Sequence, residues 1–339
     1  MRQPLDAAGD GNTVEERGDG ITSLNFVDSG NLLLASSWDS TLRLYAADQG
    51  ELRGTHERGA PILDACPASE SVSYSAGLDG RILRHDWESQ AQTLLGSHSE
   101  PVRCLTWLPD LQLLASAGWD SRLKIWDPRI PGSDDPVAEM QLPDKAFSMT
   151  AGRERLVVAT AGRHIHVFDL TKLTNGVEPE QARESSLKHQ TRCVRMYPDG
   201  SGFATASIEG RVAMEYFDLG DAQAKRYAFK CHRASEGGRD VVFPVNTLAF
   251  HQTHGTFATG GCDGVVSIWD GEHKKRLAQF TGYPTSIAAL AFNLAGNLLA
   301  VASSYTFEKG DIEHPADSIY IRPVEDAEVL PRVKVNAGP

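Results

Sequence analysis

Histidine and cysteine side chains are the residues of this chain that could act as metal ligands or nucleophiles, and their spacing does not predict either role. His164 and His166 lie at i and i+2, so on a strand both would point to the same face, but two ligands do not complete a zinc site. The cysteines form no C-x-x-C pair, and we expect small, reduced, buried thiols. They are Cys66, Cys104, Cys193, Cys231 and Cys262. No hydrolase, zinc-protease, phosphate-loop or kinase motif occurs, so we predict no enzyme, no metal and no cofactor.

Tryptophans beside aspartates are stronger candidates, because they could bind another protein. Trp38 and Trp119 each precede an aspartate at a position where we expect an exposed turn. Exposed apolar side chains often mark interfaces, and tryptophan is over-represented among interface anchors. The alternative is that each ring folds down onto the neighbouring turns. We favour the binding interpretation.

A local group of basic residues follows in the second half of the chain. It comprises Arg192, Arg211, Lys230 and Arg233. In a chain with a formal net charge of −12, such a group would favour an acidic or phosphorylated peptide through charge-assisted hydrogen bonds. Arg211 also occupies the same turn position as Arg81 and Arg122, so it could simply be solvated.

The elements that must position these residues repeat along the chain. Each copy has an apolar strand, a small-residue step, a turn and an alternating strand that ends on an aromatic residue. The turn positions are Asp39, Asp79, Asp120, Arg163, Glu209 and Asp263, at intervals of 40, 41, 43, 46 and 54 residues, with Tyr305 a further 42 residues on. A period near 40–45 residues with Trp-Asp at the strand end is typical of WD-repeat blades. The sequence therefore predicts an all-β, seven-bladed propeller with four antiparallel strands per blade.

Several details of each blade follow from the repeat. Asp-Gly and Asp-Ser pairs suit tight hairpin turns. His56 and His98 resemble the histidine of a buried His–Asp–Ser–Trp hydrogen-bond network, so we expect a structural role for them. The segment from about Asn12 to Arg17 is expected to supply the outer strand of blade 7 and close the ring. The insertion from Ala234 to Val242 is either a functional loop or a solvated one.

Length, charge and the lengths of apolar stretches limit the number of domains and the classes of binding partner. We expect one domain over residues 12–332, with flexible ends at 1–11 and 333–339. The net charge of −12 argues against a dedicated nucleic-acid or anionic-membrane binder. The first twenty residues lack an apolar signal core, and the longest apolar stretch, Ile287 to Phe292, is too short to span a bilayer. We expect a soluble, intracellular protein.

Motifs spread over most of the chain resemble one family of WD-repeat propellers. They are Ser36-Ser37-Trp38-Asp39, Thr160-Ala161-Gly162-Arg163, Arg183-Glu184-Ser185-Ser186-Leu187-Lys188, Gln190-Thr191-Arg192-Cys193, Ser207-Ile208-Glu209-Gly210-Arg211-Val212-Ala213 and Phe229-Lys230-Cys231-His232-Arg233. The family is the non-kinase, spindle-assembly-checkpoint propeller of the Bub (budding uninhibited by benzimidazole) group. A paralogous family, the messenger-RNA-export propeller of the nuclear pore, shares several of these motifs. The segments 19–23 and 313–322 favour the checkpoint family.

The resemblance implies two peptide-binding activities. Trp38, Trp119 and Arg192 would bind the GLEBS motif of checkpoint kinases and their pseudokinase-like relatives. Arg211 and Lys230 would clamp the phosphothreonine of phosphorylated Met-Glu-Leu-Thr repeats on the outer-kinetochore scaffold. The resemblance also implies a place in the assembly that inhibits the anaphase-promoting complex, and localisation to the nucleus, to kinetochores in mitosis and to the cytoplasm.

Two other functions remain open at the level of the sequence. A messenger-RNA export factor would bind a nucleoporin GLEBS motif and RNA. A substrate receptor of a cullin-type ubiquitin ligase would use the W-D-x-R motif that Trp126-Asp127-Pro128-Arg129 resembles. We expect neither direct nucleic-acid binding nor membrane binding.

Overall fold

The computed structural model describes residues 5–6, 12–15, 18–27, 31–130, 135–175, 178–218, 220 and 225–332. Two short strands come first, β1 (Leu5–Asp6) and β2 (Asn12–Glu15). Blades 1 to 3 comprise β3 (Ile21–Phe26), β4 (Leu32–Ser37), β5 (Thr41–Ala46) and β6 (Glu51–Glu57); β7 (Ile62–Pro67), β8 (Val72–Gly77), β9 (Arg81–Asp86) and β10 (Gln92–Ser97); and β11 (Val102–Leu108), β12 (Leu113–Gly118), β13 (Arg122–Trp126) and β14 (Ala138–Gln141).

The second half of the chain continues the same pattern. Blades 4 and 5 comprise β15 (Ala146–Ala151), β16 (Arg155–Thr160), β17 (His164–Asp169) and β18 (Gln181–Glu184); and β19 (Thr191–Met196), β20 (Gly202–Ser207), β21 (Arg211–Tyr216) and β22 (Tyr227–Lys230). A separate hairpin, β23 (Arg233–Glu236) and β24 (Arg239–Val242), precedes blade 6. Blade 6 comprises β25 (Val245–Phe250), β26 (Phe257–Gly261), β27 (Val266–Asp270) and β28 (Lys275–Thr281). Blade 7 comprises β29 (Ile287–Phe292), β30 (Leu298–Ser303), β31 (Ser318–Pro323) and β2.

The seven blades of four antiparallel strands confirm the predicted fold class. The first strand of each blade contacts the first strand of the next, and β29 contacts β3. The apolar face of each strand packs between neighbouring blades, as the alternating burial of β13 illustrates. Second strands such as β12 and β20 are buried throughout, because their blade is covered on both faces.

Both ends of the described chain add to the last two blades. Asn12–Glu15 pairs antiparallel with β31, with Asn12 opposite Ile321, while Glu16 and Arg17 lie outside the described residues. Leu5–Asp6 pairs in parallel with β28, and the rest of the predicted flexible ends lies outside the described residues. A short helix, α1 (Asp326–Val329), contacts β27 and β28. Ala161–Arg163 and Leu170–Asn175 form 3-10 turns.

The insertion before blade 6 differs from the expected loop. Residues 233–242 form the antiparallel hairpin of β23 and β24, turning through Gly237 and Gly238, which both have positive φ. Arg233 donates from Nη2 to the carbonyl oxygen of Glu209 at 2.9 Å, which ties the hairpin to blade 5. The hairpin is therefore an ordered extension of the propeller rather than an irregular loop.

Polar side chains on the first strands tie neighbouring blades together. Asp64 of blade 2 accepts a hydrogen bond from the amide of Leu105 in blade 3 at 2.8 Å. Ser148 of blade 4 accepts from the amide of Val194 in blade 5 at 3.0 Å. Burial raises the pKa of Asp64, although two nearby arginines and the amides of Leu105 and Ala65 oppose that shift.

The buried histidine network is present in blade 3 as predicted. His98 Nδ1 lies 3.0 Å from Asp120 Oδ1, and His98 Nε2 lies 2.7 Å from Ser116 Oγ. Trp126 Nε1 donates to the same Ser116 Oγ at 2.8 Å. Burial would raise the pKa of Asp120, but hydrogen bonds from His98 and the backbone outweigh it, so the pKa is lowered. Asp120, His98, Ser116 and Trp126 thus form one chain of hydrogen bonds that orients each side chain. This supports the expected structural role of His98.

His56 does not make the network that was predicted for it. In blade 2, Arg58 donates to Asp79 and to Ser75 Oγ, each at 2.8 Å. The amide of Arg58 bonds to Ser40 as that of His98 bonds to Gly80, so Arg58 holds the position equivalent to His98.

His56 lies two residues earlier, and its ring packs against that of Trp87, with centroids 4.5 Å apart and planes tilted by 55°. His85, ten residues after Ser75, takes the place of the tryptophan and bonds to Ser75 Oγ at 2.7 Å. Blade 6 has a further network that was not predicted, in which Thr259 replaces the serine between His232 and Trp269.

Candidate peptide-binding face

The turns between the second and third strands of all seven blades lie at one end of the propeller, here called the top face. In every blade, the first residue of this turn donates its amide to the residue that precedes the first strand, at 2.8–3.1 Å. The donors are Trp38, Leu78, Trp119, Ala161, Ile208, Cys262 and Ser304. The residue two further on has positive φ in blades 1 to 6, which explains Gly or Ser at most of these turns.

One of the predicted turn positions, that of blade 4, shifts by one residue. In blade 4, Gly162 matches the aspartate position and Arg163 matches the positive-φ position, with φ of +68°. Arg163 is held by an ion pair with Glu184 and a hydrogen bond to the Leu187 carbonyl. In blade 7, Ser304 is the equivalent donor, so Tyr305 holds the aspartate position as predicted, and a longer turn follows it.

Trp38 and Trp119 occupy equivalent turn positions but differ in exposure. Trp38 is 40% exposed. Trp119 is partly buried, and its Nε1–H is buried without an acceptor among the described residues. Both rings are therefore available at the top face, and Trp119 also carries an unsatisfied donor.

Arg192 faces the central channel because of a bulge that every blade repeats. The pairing of each first strand shifts register after its first residue, so two residues oppose one on the second strand. The residue inside the bulge is Arg103 in blade 3, Phe147 in blade 4 and Arg192 in blade 5, and all three line the channel. Arg192 Nε is buried and has no hydrogen-bond acceptor among the described residues.

Arg211 and Lys230 meet on blade 5. They are directly opposed partners of β21 and β22, where the blade reaches the top face. Arg211 Nε lies 3.6 Å from Glu209, and no carboxylate of the described residues forms an ion pair with Lys230, which is exposed. Like charges directly opposite each other on neighbouring strands repel, so this pair is unfavourable for the isolated propeller.

Sequence reasoning did not single out Lys188 as part of this group. Its amide donates to Glu209 Oε1 at 2.9 Å, which brings the loop before blade 5 against the turn that carries Arg211. Its side chain is exposed and, within the described ranges, forms no ion pair. The only signal in the sequence was its place at the end of the Arg-Glu-Ser-Ser-Leu-Lys motif.

The W-D-x-R motif, the cysteines and the possible metal ligands do not bring several functional side chains together in the described residues. Arg129 of the W-D-x-R motif donates two hydrogen bonds to the carboxylate of Asp127, at 2.7 Å each. Four of the five cysteines are buried and all are free. In the portion that the structure describes, no three His, Cys, Asp or Glu side chains lie close enough to hold a metal ion. The described helices are all too short and polar to cross a membrane.

Comparison with known proteins agrees with this architecture. A family model described as "WD domain, G-beta repeat" matches residues 12–46, 89–127 and 229–270. A solved structure titled "Structure of U3-55K" superimposes with a TM-score of 0.78 at 16% identity, covering 94% of this chain and 99% of that one, and so it shows the fold alone.

Two curated relatives show which family of WD-repeat propellers the chain resembles most. "Mitotic checkpoint protein BUB3.1" of Arabidopsis thaliana is 49% identical over 326 residues, covering 95% of this chain and 94% of that protein. "Poly(A)+ RNA export protein" of Schizosaccharomyces pombe is 32% identical, covering 93% of this chain and 91% of that protein. The checkpoint relative is thus considerably more similar, as the segments 19–23 and 313–322 predicted. The chain belongs to the Bub3 family of mitotic checkpoint propellers.

Proposed function

We propose that this chain is a non-enzymatic adaptor of the mitotic spindle checkpoint. It binds the GLEBS motif of checkpoint kinases and their pseudokinase-like relatives on its top face. It docks them on phosphorylated Met-Glu-Leu-Thr repeats of the outer-kinetochore scaffold, and therefore works in the nucleus and at kinetochores during mitosis. Family membership supports the checkpoint role. The two peptide partners follow from the resemblance of the motifs and from the chemistry of the top face.

The opposed pair of Arg211 and Lys230 is the observation that carries the phosphopeptide part of the proposal. Arg211 and Lys230 face each other, and among the described residues the one ion pair of either is that of Arg211 with Glu209 at 3.6 Å, so hydrogen-bond donors are left for an added anion. A phosphothreonine supplies nearly two negative charges and three acceptor oxygens, which match these donors. Bound phosphate would also relieve the repulsion between the two side chains.

The channel mouth supports the GLEBS part of the proposal. A peptide that crosses the top face beside Arg192 can place a carboxylate on its guanidinium, including the buried Nε–H that has no acceptor within the described residues. An unmet buried donor costs about 1–3 kcal/mol, and the peptide recovers this free energy on binding. Trp38 and Trp119 provide apolar contact area on the same top face.

Isothermal titration calorimetry with two peptides tests the proposal. We expect an unphosphorylated GLEBS peptide to bind the full chain. We expect a Met-Glu-Leu-Thr repeat peptide to bind at least about tenfold more tightly when its threonine is phosphorylated, since charge-assisted hydrogen bonds contribute about 1.5–3 kcal/mol. Equal affinity for the two forms of the repeat would contradict the phosphate clamp, and absence of GLEBS binding would contradict the adaptor role.

A second candidate function is messenger-RNA export. The relative named "Poly(A)+ RNA export protein", which is 32% identical, is the observation that favours it. This function predicts binding to a nucleoporin GLEBS peptide and to poly(A) RNA. The net charge of −12 disfavours the RNA part, because binding to a phosphate backbone requires a basic surface. A mobility-shift assay with poly(A) RNA at low salt separates the two functions.

A further inference from the structure

The central channel of the propeller is positively charged, although the chain as a whole has a formal net charge of −12. Arg103, Arg192 and Arg195 line the channel, and Asp64 is the one acidic residue among the described residues that line it with them. The arginines therefore exceed the carboxylate by two charges. The cavity that they line has a volume of about 430 Å³, within the ~300–1,000 Å³ that is usual for small-molecule sites.

The three arginines lie at two depths in the channel. Arg103 and Arg192 are the bulged second residues of their strands, close to the top face where the first strand of each blade begins. Arg195 follows three residues later on β19, about 10 Å deeper at the ~3.3 Å rise of a strand.

The channel also opens at the end opposite the top face. Arg195 lines a second cavity of about 1060 Å³, which the turns between first and second strands surround. Gln252 and Trp107 line both cavities, so the two are continuous. A small molecule therefore has a route to Arg195 that does not cross the top face.

Asp64 does not satisfy the arginines around it. Its Oδ2 accepts a hydrogen bond from the amide of Leu105 at 2.8 Å, and its Oδ1 accepts one from its neighbour Ala65 at 2.9 Å. Burial raises the pKa of Asp64, and the charges of Arg103 and Arg195 oppose this shift, so both guanidinium groups lie near the carboxylate. Within the described residues, however, neither arginine forms an ion pair with it.

Most of the donors on the three arginines remain for a ligand. Arg103 donates from Nη1 to the carbonyl oxygen of Leu63 at 3.1 Å, and Arg195 donates from Nη1 to that of Val194 at 2.9 Å. Each guanidinium has five N–H donors, so these bonds use few of them. Arg192 Nε is buried and has no acceptor in the part of the chain that the structure describes. Charge-assisted hydrogen bonds to an oxyanion would use these donors.

We propose that the channel binds the phosphate group of a small molecule, held by Arg103 and Arg195 below Arg192. A phosphate monoester carries nearly two negative charges and three acceptor oxygens, which match the excess charge and the free donors of the channel. The cavity also has room for the rest of a small molecule, because one water takes up only about 30 Å³. This inference goes beyond the proposed function, since Arg103 and Arg195 belong to neither proposed peptide site.

Isothermal titration calorimetry on the full chain, without any peptide, tests the site. The probes are inorganic phosphate and glucose 6-phosphate, at constant ionic strength. We expect at least one of them to bind with a Kd below about 1 mM. Tighter binding of inorganic phosphate would identify the free ion as the ligand, whereas tighter binding of glucose 6-phosphate would identify a phosphorylated metabolite.

Substitution of Arg195 tests where the probe binds. Arg195→Gln should weaken its binding at least about tenfold, because charge-assisted hydrogen bonds are lost. Arg153→Gln is the matched control with the same change of charge. Arg153 is exposed and lines the lower cavity but not the channel, so its substitution should leave the affinity unchanged.

Asp64→Asn changes the affinity in the opposite direction. It removes the one carboxylate that faces the arginines, so the same probe should bind several-fold more tightly, even if the variant has a lower Tm. If the arginines only stabilise the buried charge of Asp64, this gain in affinity is absent. The variant therefore separates a ligand site from a structural ion cluster, whether or not Arg195→Gln folds.

Three results would overturn the inference. They are a Kd above about 1 mM for both probes, equal affinity of the wild type and Arg195→Gln, and no gain in affinity with Asp64→Asn. Binding of the GLEBS peptide and of the phosphorylated repeat should be unchanged in Arg195→Gln. Because the titrations contain no peptide, failure of the proposed function would not alter their result.

Discussion

Arg211 and Lys230 lie directly opposite each other on β21 and β22, at the end of blade 5 that reaches the top face. Two like charges in this geometry destabilise the sheet slightly, so folding alone does not favour the pair. An anion bound between them would reverse the sign of the interaction. Removing one of the two charges should therefore weaken anion binding without lowering the stability of the free chain.

We predict that Lys230→Glu strongly weakens binding of the phosphorylated Met-Glu-Leu-Thr peptide and leaves the Tm unchanged or higher. The affinity should fall by at least about 30-fold, because a charge-assisted hydrogen bond is lost and a repulsion is gained. Calorimetry and thermal unfolding measure the two effects. Arg81→Glu is the matched control, since Arg81 is an exposed residue at the turn position equivalent to that of Arg211 in blade 2. A variant that still binds the phosphopeptide would show that the anion site lies elsewhere.

The two top-face tryptophans should respond differently to substitution. Trp38→Ala is expected to weaken GLEBS binding about tenfold or more with little loss of stability, since the ring is 40% exposed. Trp119→Phe keeps most of the ring but removes the buried Nε1–H that has no acceptor within the described residues. If the peptide supplies that acceptor, Trp119→Phe weakens binding while the free chain is no less stable. Leu52→Ala, at an exposed position of β6, should change neither quantity.

The buried network of blade 3 predicts a large loss of stability from a small change. Ser116→Ala leaves both His98 Nε2 and Trp126 Nε1 without their shared partner. Because each of these two buried unpaired groups costs about 1–3 kcal/mol, the free energy of unfolding should fall by about 2–6 kcal/mol in urea titrations. Thr259→Ser in blade 6 is the control: it keeps the hydroxyl oxygen and removes one methyl group. An equal loss in both variants would mean that packing, rather than hydrogen bonding, sets the effect.

The repeat predicts the number of blades and the place of most turns, because its Asp-Gly and Asp-Ser pairs occupy positions where the second residue must adopt positive φ. Side-chain identity within the network is less predictable. His56 and Arg58 are two residues apart and face the same side of a strand, so alternation alone does not distinguish them. Backbone pairing determines which of the two residues takes the place of His98. The amide of Arg58, not that of His56, makes the hydrogen bond equivalent to that of the His98 amide.

In the candidate site, too, the sequence predicts which residues take part but not how they are arranged. Arg192, Arg211 and Lys230 could be selected from the sequence because they are basic residues in an acidic chain. The opposition of Arg211 and Lys230 depends on the register between β21 and β22, which a single sequence does not contain. The turn between β30 and β31 is longer than its equivalents in the other blades, so alignment of the blades gave no equivalent positions for most of its residues.

His85 predicts how stability depends on pH in the mildly acidic range. It is fully buried, and burial together with the charges of His56 and Arg58 lowers its pKa to about 3. The unfolded chain takes up this proton near the ordinary histidine pKa of about 6.5, whereas the folded chain remains neutral down to about pH 3. The stabilising contribution of neutral His85 is therefore complete above pH 6.5 and is lost as the pH falls, by at most about 1.4 kcal/mol per pH unit.

Comparing variants isolates this contribution from that of the carboxylates. His85→Gln can still bond to Ser75 but does not titrate, so its Tm should fall less between pH 7 and pH 5 than that of the wild-type chain. Asp64, whose pKa is raised by burial, acts in the opposite direction but is common to both proteins. His164→Gln, at an exposed position, should keep the wild-type slope. Parallel Tm profiles for the wild type and His85→Gln would show that His85 is protonated equally in the folded and unfolded chains.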